Sequence, residues 1–134
     1  MFKLIKIVNS GVNVPEPIKL RKSNSLNVKA GTALTISGGY VTMCTSTATP
    51  TYISLENAGT NKDSVYCYAV NGNMLFETTV SAKPTSLSVG DKVTLGSDAE
   101  SNTSNVTATT SSGVATIVDL MNASNIGDKI TVKF

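Results

Sequence analysis

Short alternating segments, each ended within a few residues by glycine, asparagine or proline, run through almost the whole chain. Such a rhythm leaves no stretch with a helical 3.6-residue stripe and points to half-buried strands joined by tight turns. Residues 33–37 alternate, Gly38-Gly39 signals a hairpin, and residues 40–44 return. Residues 52–56 and 65–70 follow, the latter the most apolar run and the natural central strand. Asn71-Gly72-Asn73 is the strongest short hairpin signal, with residues 74–80 as its second arm. Further strands are expected near Val93, Val106, 114–119 and 127–134, while 120–125 offers at most a single helical turn. The expectation is an all-β fold, a compact antiparallel β-barrel or sandwich. Its predicted core is Leu34, Ile36, Val41, Met43, Ile53, Leu55, Val65, Cys67, Val70, Leu75, Val93, Leu95, Ile117, Ile130 and Val132. At 134 residues the chain can bury roughly two-thirds of its unfolded surface without a disulfide or metal.

One phrase recurs. Gly31-Thr32-Ala33-Leu34-Thr35-Ile36 is echoed by Gly90-Asp91-Lys92-Val93-Thr94-Leu95 and by Gly127-Asp128-Lys129-Ile130-Thr131-Val132. Each is a glycine turn, two mostly polar residues, then apolar-Thr-apolar. The echo suggests two related halves. Alternation predicts that the apolar pairs face inward and the threonines outward.

The start of the chain differs from the rest. Residues 1–30 carry six basic side chains against Glu16 alone, a net +5, whereas the remainder holds five lysines against eight acids, a net −3. Pro15 and Pro17 forbid a central strand nearby and stiffen the segment. Residues 1–25 are therefore read as an extended, basic, proline-bearing N-terminal arm, followed by a single all-β domain over 26–134. Two readings of the charge stand: an anionic partner surface, or lysines at 3 and 6 that merely flank apolar residues in a strand. No secretory signal is recognisable, so synthesis in a cytoplasm is expected, with Cys44 and Cys67 reduced and acting as small buried hydrophobes.

The composition excludes much chemistry. With no histidine there is no Ser-His-Asp or Cys-His system and no histidine-ligated metal. Two cysteines cannot form a four-thiolate site, and the acids lack calcium-loop spacing. Glu56 and Asp119 occupy corresponding places in the echo, but the cleft aromatics of a glycosidase are missing. No catalytic residue, cofactor or metal site is expected. Nucleic acid is disfavoured as a partner because no aromatic interleaves with the basic cluster along the sequence. A membrane span is disfavoured because no apolar run approaches 18 residues. Only 15% of residues are charged, and serine, threonine and asparagine, roughly a third of the chain, supply the polarity instead.

Taken in order, these phrases resemble the small head-decoration, or cement, proteins of tailed bacteriophages. The resemblance lies in the opening Met1-Phe2-Lys3-Leu4-Ile5-Lys6 and the arm Asn13-Val14-Pro15-Glu16-Pro17. It continues through Ala30-Gly31-Thr32-Ala33-Leu34-Thr35, Gly39-Tyr40-Val41-Thr42 and residues 50–58, then Val89-Gly90-Asp91-Lys92-Val93 and the terminal strand. It implies a non-enzymatic virion protein on the capsid exterior that clamps the major capsid protein, often as a homotrimer. The capsid-contact candidates are Phe2, Lys3, Lys6, Val14, Pro15, Pro17, Lys19, Arg21 and Lys22. The alternative is a tail, fibre or cell-surface β-module that binds carbohydrate or protein, with Tyr40, Tyr52, Tyr66 and Tyr68 as platforms.

Overall fold

A computed structural model describes residues 1–8 and 15–134. Among the described residues there is no helix, and the strands form two five-stranded antiparallel sheets and a two-stranded ribbon. The first sheet has the order β1 (Lys3–Ile7), β7 (Met74–Thr79), β12 (Lys129–Lys133), β11 (Ala115–Asp119), β8 (Lys92–Val93). The second has the order β2 (Ile18–Arg21), β6 (Ser64–Ala69), β5 (Tyr52–Ser54), β3 (Ala33–Ser37), β4 (Tyr40–Met43). The ribbon pairs β9 (Leu95–Ser97) with β10 (Thr103–Val106).

The architecture is a sandwich rather than a closed barrel. The second sheet curls until its edge strands β2 and β4 meet at a single parallel bridge, Lys22–Val41, but no ladder seals it. Period-2 alternation gives this sheet two apolar faces near its middle. Ala33, Cys44 and Ile53 point to the first sheet and join a core with Phe76, Met74, Val93, Leu95, Ile117, Ile130 and Val132. Leu34, Val41, Val65 and Cys67 point the other way, into the curl, where Val28 and Ala58 close a smaller cluster. Val28 and Ala58 exchange backbone hydrogen bonds of 3.0 and 2.8 Å, which lays the 23–30 loop across that cluster.

Gly38 and Gly39 both take positive φ, +59° and +81°, and close a two-residue turn with Ser37 opposite Tyr40, as the sequence predicts. The turn at Asn71-Gly72-Asn73 does something else. Its flanking strands β6 and β7 lie in different sheets, so it is a crossover and not a hairpin. The left-handed glycines of the chain do not include Gly72. Asn71 Oδ1 instead accepts the Asn73 N–H (3.0 Å), an Asx turn that steers the chain from one sheet to the other.

The echo is real in its turns and uneven in its packing. Gly31, Gly90 and Gly127 have φ of +74°, +96° and +90°. Five of the six following apolar residues are buried, but Ile36 is 45% exposed because it sits beside the Ser37–Tyr40 turn, past the end of its cluster. Thr94 and Thr131 are buried at 6% exposure rather than outward: the Thr94 hydroxyl is hydrogen-bonded with the Thr107 hydroxyl (2.7 Å), and the Thr131 hydroxyl donates to the Met121 sulfur (3.6 Å). The second copy is split: Val93 pairs with β11 and Leu95 with β10.

Buried polar side chains stitch the ribbon to the curled sheet. Asn102, fully buried, accepts through Oδ1 from the Lys29 N–H (3.1 Å) and the Thr32 hydroxyl (3.3 Å). The Thr103 hydroxyl donates to the Cys44 carbonyl at 2.7 Å.

Candidate functional site

The residues set apart as an arm supply one edge strand to each sheet. β1 pairs with β7, and β2 pairs with β6. Phe2 is 2% exposed; its N–H donates to the Gly31 carbonyl (2.9 Å) and its ring packs edge-on against Phe134, centroids 5.3 Å apart. Phe134 in turn meets Phe76 at 5.5 Å, so both ends of the chain enter the main core. A basic opening can thus be strand flank: Lys3 and Lys6 are exposed on β1 around half-buried Leu4 and Ile7.

The nine contact candidates therefore fall into distinct places. Phe2 and Lys22 are buried and present no surface. Lys3 and Lys6 lie on β1, and Pro15 joins them at a groove of about 630 Å³ between β1 and the curled sheet, floored by Ile53, Phe76 and Tyr68. Pro17 is exposed ahead of β2. Val14 lies outside the described residues. Lys19 and Arg21 stand on the outer face of β2, with half-buried Leu20 between them turned into the curl.

On that outer face the fold assembles a cluster the sequence does not announce. Lys19 is directly opposite Tyr66 across the β2–β6 ladder, and its ammonium sits 5.9 Å from the ring centroid. The Lys22–Val41 bridge brings Arg21 beside Tyr40, with the guanidinium carbon 5.4 Å from that ring's centroid. Tyr40 and Tyr66 are 41% and 44% exposed, whereas Tyr52 and Tyr68 are half-buried. The partners of each exposed ring along its strand, Val41 and both Val65 and Cys67, are buried, so alternation fixes which way the rings point. Aromatic and basic groups separated by up to 47 positions thus interleave, which corrects the sequence-based reading that none do.

Lys22 marks the rim of this face. Its Nζ donates to the carbonyls of Leu26 (2.8 Å) and Ser23 (3.1 Å), which ties the end of β2 to the loop that caps the small cluster. Burial pulls its ammonium below the ordinary lysine range, with nearby Asp63 opposing. Glu56 accepts from Lys62 (2.9 Å) and from the Tyr66 N–H (3.2 Å), and these bonds hold its carboxyl below the usual range.

The cysteines and Asp119 are held in structural roles. Burial pushes the Cys44 thiol up to about 11 and the Cys67 thiol to about 12, so both are poor nucleophiles, and they sit free in different clusters. Asp119 is spent on the Met121 N–H (2.8 Å), far in the topology from Glu56. Among the described residues no group of three potential metal ligands converges.

Comparison with known proteins bears on the fold. No protein-family model matches the chain, and no curated protein matches it. Among solved structures, the chain is similar to the N base of the head fibre gp8.5 of bacteriophage phi29, with a TM-score of 0.57 and 16% identity. The match covers 89% of this chain and 94% of that one, so the two share a fold over nearly their whole lengths.

Proposed function

We propose that this chain is a non-enzymatic bacteriophage structural protein that decorates the outside of the head shell. The observation that carries the reading is the near-complete structural overlap with a head-fibre base, in accord with the order of phrases in the sequence. The reading includes seating on the major capsid protein, assembly as a trimer and residence on the virion exterior after synthesis in the host cytoplasm. A surface rich in serine, threonine and asparagine suits a permanently exposed coat. Many copies on a lattice reinforce retention by avidity.

A second reading, a fibre component rather than a flush decoration, is favoured by the neighbour being the base of a head fibre. Sugar stacking on Tyr40 and Tyr66 is disfavoured because each ring already carries a cation. The test is co-sedimentation with heads lacking this protein, followed by electron microscopy. Saturable binding with flush knobs supports decoration, and a projecting stalk supports the fibre reading. Absence of binding to heads overturns both.

A further inference from the structure

We propose that the outer face of the curled sheet, built from Lys19, Arg21, Tyr40 and Tyr66, docks onto an acidic patch of a partner protein. The partner's identity as the capsid surface rests on the proposed decoration role; the docking face itself comes from geometry.

Three observations carry it. Neither cation is closed into an ion pair: among the described residues Lys29, Lys62 and Lys129 each meet a carboxylate, whereas neither Lys19 nor Arg21 has one within ion-pair distance, and Lys19 acts on Glu56 only across a longer gap. They are also held in place, each over a tyrosine ring within about 6 Å, the range of a cation–π contact. A held cation loses less conformational freedom on binding, and Tyr and Arg, with Trp, are enriched among the side chains that anchor protein interfaces. Finally, the groups sit on paired strands β2, β4 and β6, so the face is rigid and preformed.

The rim chooses between acidic protein and nucleic acid. Glu56 is bonded to the backbone of Tyr66, and Asp63 shares a shallow hollow with Arg21 and Tyr40. A continuous phosphate backbone would meet both carboxylates. A protein surface needs negative charge only at the centre and can place neutral or basic groups at the margin. The groove beside β1 is the competing surface, with Lys3 and Lys6 as its own cations.

The experiment is quantitative co-sedimentation with heads that lack this protein, using the full chain. The double variant Lys19→Glu with Arg21→Glu should weaken binding about tenfold or more, the scale of reversing charges that face acids. Lys3→Glu with Lys6→Glu should stay within about threefold, as for charges outside the contact. Equal loss in both pairs, or loss only in the second, overturns the proposal while leaving the decoration role intact. Failure of the unaltered protein to bind overturns both. Should the first pair misfold, acetylation of the unaltered protein decides: Lys19 should be shielded on assembled heads while Lys3 and Lys6 react, and the reverse overturns the proposal. Fluorescence anisotropy with a labelled single-stranded DNA should show no binding that depends on Lys19 and Arg21. Tight binding that does would replace the acidic protein with nucleic acid.

Discussion

The two sheets are alike in strand number and unlike in what they bury. The first stands on a cluster of fifteen buried residues among those described, to which the second sheet contributes Ala33, Cys44 and Ile53. The second keeps only six for itself inside its curl. The first sheet is consequently scaffold, with both chain ends folded into its core through Phe2, Phe76 and Phe134. The second leaves an outward face of cations and tyrosines that no element of this chain covers among the described residues. The main core and the exposed face of cations and tyrosines thus belong to different sheets that share one seam.

That division can be broken in a definite order. Deletion of residues 1–22 removes β1, β2, Phe2 and Lys22, and should abolish the cooperative thermal transition rather than release a folded, non-binding domain. A deletion product that still melts cooperatively would show the scaffold to be independent of its edges. Phe76→Ala, in the main core, should cost about 3–5 kcal/mol through the cavity it leaves. Leu34→Ala, in the small cluster, should cost about 2–4 kcal/mol, toward the lower end of large-to-small losses because the curl can partly collapse. Denaturant titrations followed by two probes measure both. One shared transition is expected because Ala33 and Ile53 lie in the common seam, and two transitions would make the sheets separate folding units.

Gly31→Ala should cost about 1–3 kcal/mol. The residue has φ +74°, and an added Cβ would lie 2.8 Å from the Met1 side chain and the Phe2 carbonyl. Faster hydrogen exchange confined to β1 would place the damage at the strand's anchor.

Smaller effects come from pH. Burial lowers the folded pKa of Lys22, so the unfolded chain holds that proton more tightly. Stability should therefore rise as pH climbs through the lowered value toward the ordinary lysine range, and Lys22→Met should erase that rise. Glu77 has the opposite sense. Lys129, 2.9 Å away, holds its carboxyl below the usual range, so its contribution is present above the ordinary glutamate pKa and lost as pH falls through the depressed value. Glu77→Gln should flatten the acid limb of a melting-temperature profile, and an unchanged limb would assign the loss to other carboxylates.

Much of this was legible from local pattern. The Gly38-Gly39 hairpin, the absence of helix, the glycine turns of the echo and the burial of Val93, Ile130 and Val132 follow from alternation and turn chemistry acting over a few residues. Nothing local marks Phe2, Phe76 and Val28 as core, because their burial depends on strands distant in sequence coming to rest on them, and for the same reason Met43, Leu55, Val70 and Leu75, expected in the core, are only half-buried. Asn71-Gly72-Asn73 misled for the same reason: a short turn sets the direction of the next strand, and whether that strand pairs back or crosses to a second sheet depends on where the rest of the apolar surface lies.

The candidate site shows the limit most clearly. Alternation about Leu20 already places Lys19 and Arg21 on one side of a strand, and alternation about buried neighbours does the same for Tyr40 and Tyr66. Strand type, facing and turn geometry are local properties, set by φ/ψ preference and the two-residue period of the pleat, and so are written in the chain. Which strands become neighbours is a competition among ways of burying the same apolar residues, and only the packed molecule resolves it. The juxtaposition of Lys19 with Tyr66 and Arg21 with Tyr40, and the enclosure of Phe2 at the start of a segment that reads as an extended basic arm, belong to that second kind.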